Sequence, residues 1–161
     1  ENAPDDPQAV RRRLEFLMRR PLLVREETMM FVHGSPRQPL NEYVFPEDVH
    51  NARKLERLFQ LIDGYCFQGH SHVPGIFTTA GRFFSPHDIG HHWQLRGDKL
   101  MVNVGSVGQP RDCDPRSCYV VVEGHRLEFR RVPYQLETTV AKIHAIPELD
   151  PYLGDRLREG R

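Results

Sequence analysis

The stretch Tyr65-Cys66-Phe67-Gln68-Gly69-His70-Ser71-His72-Val73-Pro74 decides how the rest of the chain is read. An apolar run leads into a glycine, two imidazoles follow two residues apart, and a proline closes the segment. On a helix, residues two apart point about 200° away from one another, whereas at a strand end they share a side. The segment is therefore expected to be a strand that stops at Gly69 and presents His70 and His72 from its carboxyl end. A metal or a phosphate ester could be held there.

Working toward the amino terminus, Thr28 to Val32 is a second unbroken apolar run, ending at His33-Gly34-Ser35-Pro36. A run without polar alternation suggests a strand buried on both faces. Arg37 to Pro46 reads as loop. Pro46-Glu47-Asp48 opens a helix with Val49, Ala52, Leu55, Leu58, Phe59 and Ile62 at helical period, closed by Asp63-Gly64. The order strand, loop, helix, strand predicts a right-handed crossover that sets His33 and His70/His72 at one edge of a sheet, where open sheets gather their chemistry. Further upstream, Asp5, Asp6 or Pro7 can start a helix running to about Arg20 with a partly apolar face, and Leu22 to Val24 reads as a short strand.

Downstream the pattern changes to short strands. Ile76–Thr78 and Arg82–Phe84 flank Ala80-Gly81; His91–Leu95 and Lys99–Val104 flank Arg96-Gly97-Asp98; Cys118–Val122 and Arg126–Val132 flank Glu123-Gly124-His125. The second and third pairs are each expected to be a hairpin. Gln135 to Ile146 and Pro151 to Glu159 are expected to be helices. A βαβ unit followed by a β-meander makes this an α/β chain of one domain spanning residues 1 to 161.

Composition limits the function classes. The 161 residues are 39% hydrophobic and 27% charged, which suits a globular domain. Lysine plus arginine equal aspartate plus glutamate at 22 each, so net charge supplies no argument for nucleic acid or membrane. No apolar run approaches the ~20 residues of a membrane span. Three cysteines, Cys66, Cys113 and Cys118, are not a secreted disulfide framework, and with no signal-peptide pattern the expected location is the cytoplasm. The sequence opens Glu1-Asn2-Ala3-Pro4 without an initiator methionine, which reads as the interior of a longer gene product or a processed one.

Of the nine histidines, three carry an argument. His33 alone reads as well as a hydrogen-bonded structural residue, and a lone His-x-His as well as an accident. Set together at adjacent strand ends, His33, His70 and His72 point to metal binding. Imidazoles suit manganese, iron, zinc or nickel. A third segment, Asn103-Val104-Gly105-Ser106-Val107-Gly108-Gln109-Pro110-Arg111, follows a strand with two glycines that allow close backbone approach to a ligand. Arg111 and Arg37 are candidate phosphate ligands through two-pronged guanidinium contacts; the plainer reading of both is surface arginine. Cys113-x4-Cys118 has a loose metal spacing, His91-His92 reads as one side chain in and one out, Gly97-Asp98 as a turn, and Trp93, Phe83 and Phe84 as core. No catalytic acid, base or nucleophile is assigned.

The order and spacing of Phe31-Val32-His33-Gly34-Ser35-Pro36, Gly69-His70-Ser71-His72-Val73-Pro74 and Asn103 to Arg111 resemble the calcineurin-like metallophosphoesterases, and most of all the bacterial phosphodiesterase and diadenosine-tetraphosphatase-like branch, from Leu22 to about Leu157. The resemblance implies an αββα sandwich, two sheets flanked by helices. It implies a two-metal site, with His33 and His70 on one ion and His72 on the other, and hydrolysis of a phosphate ester by metal-activated water. The family's Asp-x-His, Gly-Asp-x-x-Asp and Gly-Asn-His motifs do not occur here. The chain is thus expected to be the carboxyl-terminal portion of such a domain, with the missing amino-terminal half as its partner. It is expected to bind metal weakly alone and to expose an apolar face. The alternative is a catalytically silent interaction module of the same fold. Oligomeric state and substrate, whether monoester, diester or dinucleotide, are not legible.

Overall fold

The structure, a computed structural model, describes residues 6–161. Asp5, one of the residues expected to open the first helix, lies outside them. Asp6 caps that helix, α1 (Pro7–Met18), accepting from the backbone nitrogens of Gln8 and Ala9 with Pro7 at the first position. Only Ala9 of α1 is buried, and Leu14, Phe16, Leu17 and Met18 are exposed.

Three strands run parallel at the centre of a six-stranded sheet. β1 (Leu23–Glu26) turns at Glu27 into β2 (Met29–Val32), which pairs parallel with β3 (Tyr65–Gln68). β3 in turn pairs parallel with β7 (Leu100–Asn103), Gln68 opposite Asn103. β4 (Gly75–Thr78) runs back along the other side of β7 and folds as a hairpin onto β5 (Phe83–Phe84). The sheet order is β1-β2-β3-β7-β4-β5. A second sheet of three antiparallel strands has the order β6-β9-β8, from β6 (His92–Gln94), β8 (Ser117–Glu123) and β9 (Arg126–Val132).

The two faces of the large sheet build two cores. One face carries Met30, Cys66, Phe77 and Met101 against Leu55, Leu58 and Phe59 of α2 (Ala52–Phe59). The other carries Tyr65, Phe67, Ile76, Leu100 and Val102 against Leu127 and Phe129 of the small sheet. β3 and β7, buried at every position, are clamped from both sides. Each such side chain contributes about 1.5–3 kcal/mol of burial, so β3, which leads to His70 and His72, and β7, which ends at Asn103, are firmly fixed. α3 (Leu136–His144) and α4 (Tyr152–Arg158) pack on one another, and Cys113 N donates to Gly160 O at 3.0 Å, tying down the chain's end. The architecture is the expected α/β sandwich of two sheets flanked by helices.

Four expectations need correction. His91–Leu95 and Lys99–Val104 do not form a hairpin: β6 pairs with β9 while β7 enters the centre of the other sheet. β7 is apolar on both sides and is drawn to the doubly covered position, whereas β6 alternates and suits an edge. The meander is accordingly split between two sheets. The helix expected from Pro46 is broken: a 3-10 turn covers Pro46–His50, and Asn51 then caps α2 through its side chain, accepting from Lys54 N at 3.1 Å. Finally, β2 is not buried on both faces, because Phe31 is 36% exposed and stacks on Phe67 near the sheet's margin.

Candidate functional site

Parallel pairing places the carboxyl ends of β2, β3 and β7 on one edge of the sheet. His33 follows β2 directly, Gly69 and His70 follow β3, and Asn103 ends β7. Pairing extends one step past the strands, with Gly69 N donating to His33 O at 3.0 Å. His33 and His70 thereby meet: His33 Nε2 lies 2.8 Å from His70 Nδ1, rings edge to face at 4.6 Å.

His70 and His72 both sit in left-handed backbone, with φ of 58° and 61°. For a residue with a Cβ this costs roughly 1–2 kcal/mol each and persists only where the surroundings enforce it. Asn103 supplies the enforcement. Its buried Nδ2 donates to Gly69 O at 2.8 Å and to Ser71 Oγ at 2.7 Å, while its Oδ1 accepts from Gly105 N at 3.0 Å. Ser71 is itself fully buried between the two histidines. One side chain at the end of β7 thus ties the histidine loop to the turn after β7.

That turn fixes His72. The ring's Nδ1 lies 2.6 Å from Gln109 O, and Arg111 N donates to His72 O at 3.2 Å. A backbone carbonyl can only accept, so Nδ1 carries the proton and Nε2 keeps its lone pair. Burial holds the His72 ring below the ordinary imidazole range; the Gln109 bond opposes this, and the charges of Arg111, His33 and Arg156 add to it. His70 is likewise lowered, first by burial and then by His33, with the Asn41 backbone pulling the other way. Both shifts favour the neutral ring, the form that ligates metals.

The two arginines differ. Arg37 is engaged in an ion pair with Glu42, which also accepts from Ser35 Oγ. Arg111 Nη2 donates to Gln109 Oε1 at 3.0 Å, and its buried Nε has no partner. Cys113 and Cys118 form no metal site: Cys118 is buried with its thiol pushed up to about 11, and Cys113 is exposed on a turn of its own. Burial pushes Cys66 up to about 12. His91 is half-buried and His92 exposed, one in and one out. His144 lies 3.3 Å from Asp155, away from the three central histidines.

Several neighbours were not singled out by sequence. Tyr43 stacks on His70 with ring centroids 3.9 Å apart and is followed in the same stack by Phe45. Gln68, level with Asn103 across the sheet, is 1% exposed with neither side-chain polar atom partnered. Glu42, Tyr43 and Phe45 sit in a loop with no periodicity to expose them. Gln68, by contrast, was visible as the one polar residue in an apolar strand.

The donor set suits a borderline metal ion in part. His33 Nε2 and His70 Nδ1 converge, and both can face one ion if their hydrogen bond is given up; His72 has a free Nε2. Among the described residues no group of three or more His, Cys, Asp or Glu side chains is disposed to hold an ion. The imidazoles therefore fit as part of a metal centre and not as the whole of one.

Comparison with known proteins follows the geometry. No protein-family profile matches the chain. It is 32% identical over 157 residues to an uncharacterised protein of Methanocaldococcus jannaschii, covering 92% of this chain and 60% of that protein's length. The crystal structure of a metallophosphoesterase from Sphaerobacter thermophilus superposes with a TM-score of 0.83 at 29% identity, over 100% of this chain and 71% of that one. A hypothetical protein of Pyrococcus horikoshii shares the fold at a TM-score of 0.65 and 16% identity, over 91% of this chain and 54% of that one. No helix among the described residues is long and apolar enough to cross a membrane.

Proposed function

We propose that the chain is a member of the calcineurin-like metallophosphoesterase superfamily and that it supplies the histidine half of a two-metal site that hydrolyses phosphate esters, a reading supported by its likeness to the Sphaerobacter metallophosphoesterase. The observation that carries this reading is the meeting of His33 Nε2 and His70 Nδ1 across two parallel strand ends. His72, with its proton pinned at Nδ1 by Gln109, offers Nε2 to the second ion. When bound, two divalent ions, whether manganese, iron, zinc or nickel, lower the pKa of water and neutralise charge on the phosphoryl oxygens.

The chain's own residues do the rest. His33, His70 and His72 bind and orient. Arg111, whose charge reaches both His70 and His72, takes a phosphate oxygen. Arg37 is a second phosphate ligand, sharing Glu42. Two dications also require carboxylates, and among the described residues no group of three or more His, Cys, Asp or Glu side chains is disposed to supply them.

The test is hydrolysis of a generic aryl phosphodiester with manganese by the complete protein, with and without His72→Ala. Turnover unchanged by the substitution removes His72 from the site. The second reading, a catalytically silent interaction module, is favoured by the absence of any third donor beside His33 and His70 among the described residues. No hydrolysis of aryl mono- or diesters by the complete protein with any of the four metals supports it.

A further inference from the structure

A cavity of about 740 Å³ opens at the opposite end of the large sheet from the histidines. Its position follows from the register of β4 on β7: Gly75 pairs with Asn103 at the histidine end, and Thr78 pairs with Leu100 at the cavity end. Three residues of strand, roughly 10 Å, separate the two. The walls come from the β4–β5 hairpin, from β6 of the small sheet and from the loop leading into β7.

The lining has two parts. Phe84 and Trp93 form an apolar wall, their rings 5.4 Å apart and tilted by 42°. Beside it stand three cations: Arg82, whose guanidinium lies 4.7 Å above the Phe84 ring, Arg96 and Lys99. Among the described residues none of the three is in an ion pair with a carboxylate. Lys99 Nζ donates to Phe59 O at 3.3 Å, which leaves two of its hydrogens free. Asp98 is the one carboxylate in the lining, so cations exceed anions there by two, three less one. Thr78 lines the same wall.

We propose that this cavity is a second binding site, separate from the histidines, for a small anion with a flat aromatic body, such as a nucleoside monophosphate. The ring lies on the Phe84–Trp93 wall, and the anionic group meets Arg82, Arg96 and Lys99. The volume is within the ordinary range of small-ligand sites, about 300–1,000 Å³, and an apolar wall with a few polar groups in the lining is what such sites use. The apolar wall distinguishes it from a purely electrostatic patch, which would favour inorganic phosphate as well.

Trp93 is the only tryptophan in the chain, so its fluorescence reports on this cavity alone. The 161-residue chain is titrated with adenosine 5′-monophosphate, with adenosine and inorganic phosphate as separate arms, and binding is measured independently by calorimetry. The expected result is saturable quenching by the nucleotide below about 1 mM, with each partial ligand at least about tenfold weaker. Arg82→Ala with Arg96→Ala is expected to weaken nucleotide binding about tenfold or more, the combined effect of losing two exposed ion pairs worth up to about fivefold each. His33→Ala with His70→Ala is expected to leave it unchanged. Absence of saturable quenching up to about 10 mM overturns the proposal. So does binding that survives the double arginine change, or that disappears with the histidines. Inorganic phosphate binding as tightly as the nucleotide also overturns it.

Discussion

His33 Nε2 and His70 Nδ1 lie 2.8 Å apart although 37 residues separate them in sequence. Strand pairing brings them together, so the contact is as rigid as β2 and β3. Added zinc should shift the imidazole resonances of both rings together in a histidine-detected NMR titration of this chain. His33→Ala should reduce zinc affinity by about tenfold or more, since one of two convergent ligands is lost. A titration that perturbs His72 alone would contradict the pairing.

The backbone at His70 sets up a second comparison. His70→Gly and His70→Ala remove the same ring, its stacking on Tyr43 and its bond to His33. They differ only in the left-handed φ, which glycine adopts freely. The glycine variant should be more stable than the alanine variant by about 1 kcal/mol in urea unfolding. Equal stabilities would mean that the loop relaxes out of this conformation when the ring is gone.

Asn103→Ala should be costly beyond its size. The change strands Ser71 Oγ and Gly105 N, two buried groups, and takes one of two donors from Gly69 O, which keeps its bond from Ser71 N. A loss of about 2–4 kcal/mol in unfolding free energy is expected, with faster amide exchange at Ser71 and Gly105. Asn103→Asp keeps the acceptor but neither donor, and should recover only part of the loss.

Gln68 should behave in the opposite sense. Its amide is buried with neither polar atom bonded. Gln68→Met preserves length and flexibility and removes the desolvated amide. The variant should be more stable by about 1–2 kcal/mol in thermal or urea unfolding. A loss of stability would show that the amide has a bound partner, such as an ordered water.

Glu42 gives the fold a pH dependence. Burial pushes its carboxyl up, but the bonds from Arg37 and Ser35 and the charges of Arg37 and Lys54 outweigh burial, leaving it below the usual range. A depressed carboxyl stabilises the fold above its unfolded pKa, and that contribution is lost as pH falls through the folded value. Glu42→Gln should therefore cost about 1–2 kcal/mol at pH 7, and the difference from the parent should shrink steadily below about pH 5. A gap that stays constant down to pH 3 would place the effect in packing.

Much of the site was legible because it rides on periodic segments. Tyr65 to Gln68 is uniformly apolar but for its last residue, so its strand and the exit of His70 and His72 follow from the pattern. The join of His33 to His70 followed from the βαβ order. The strand from Leu100 was also legible, but its partner was not. Adjacency along the chain favours a hairpin with His91–Leu95, and only the two-sided burial of β7 sends it between β3 and β4. The role of Asn103 was hidden for another reason. An asparagine at a strand end two residues before Gly105 reads as part of a turn, and nothing local reveals that its amide reaches back 34 residues to Gly69.

The left-handed conformations of His70 and His72 carry a further consequence. Glycine would hold the same turn without the strain, so the backbone by itself supplies no reason for a side chain at either position; whatever holds the imidazoles there comes from the rings' own contacts, with Tyr43 and His33 at one and Gln109 at the other.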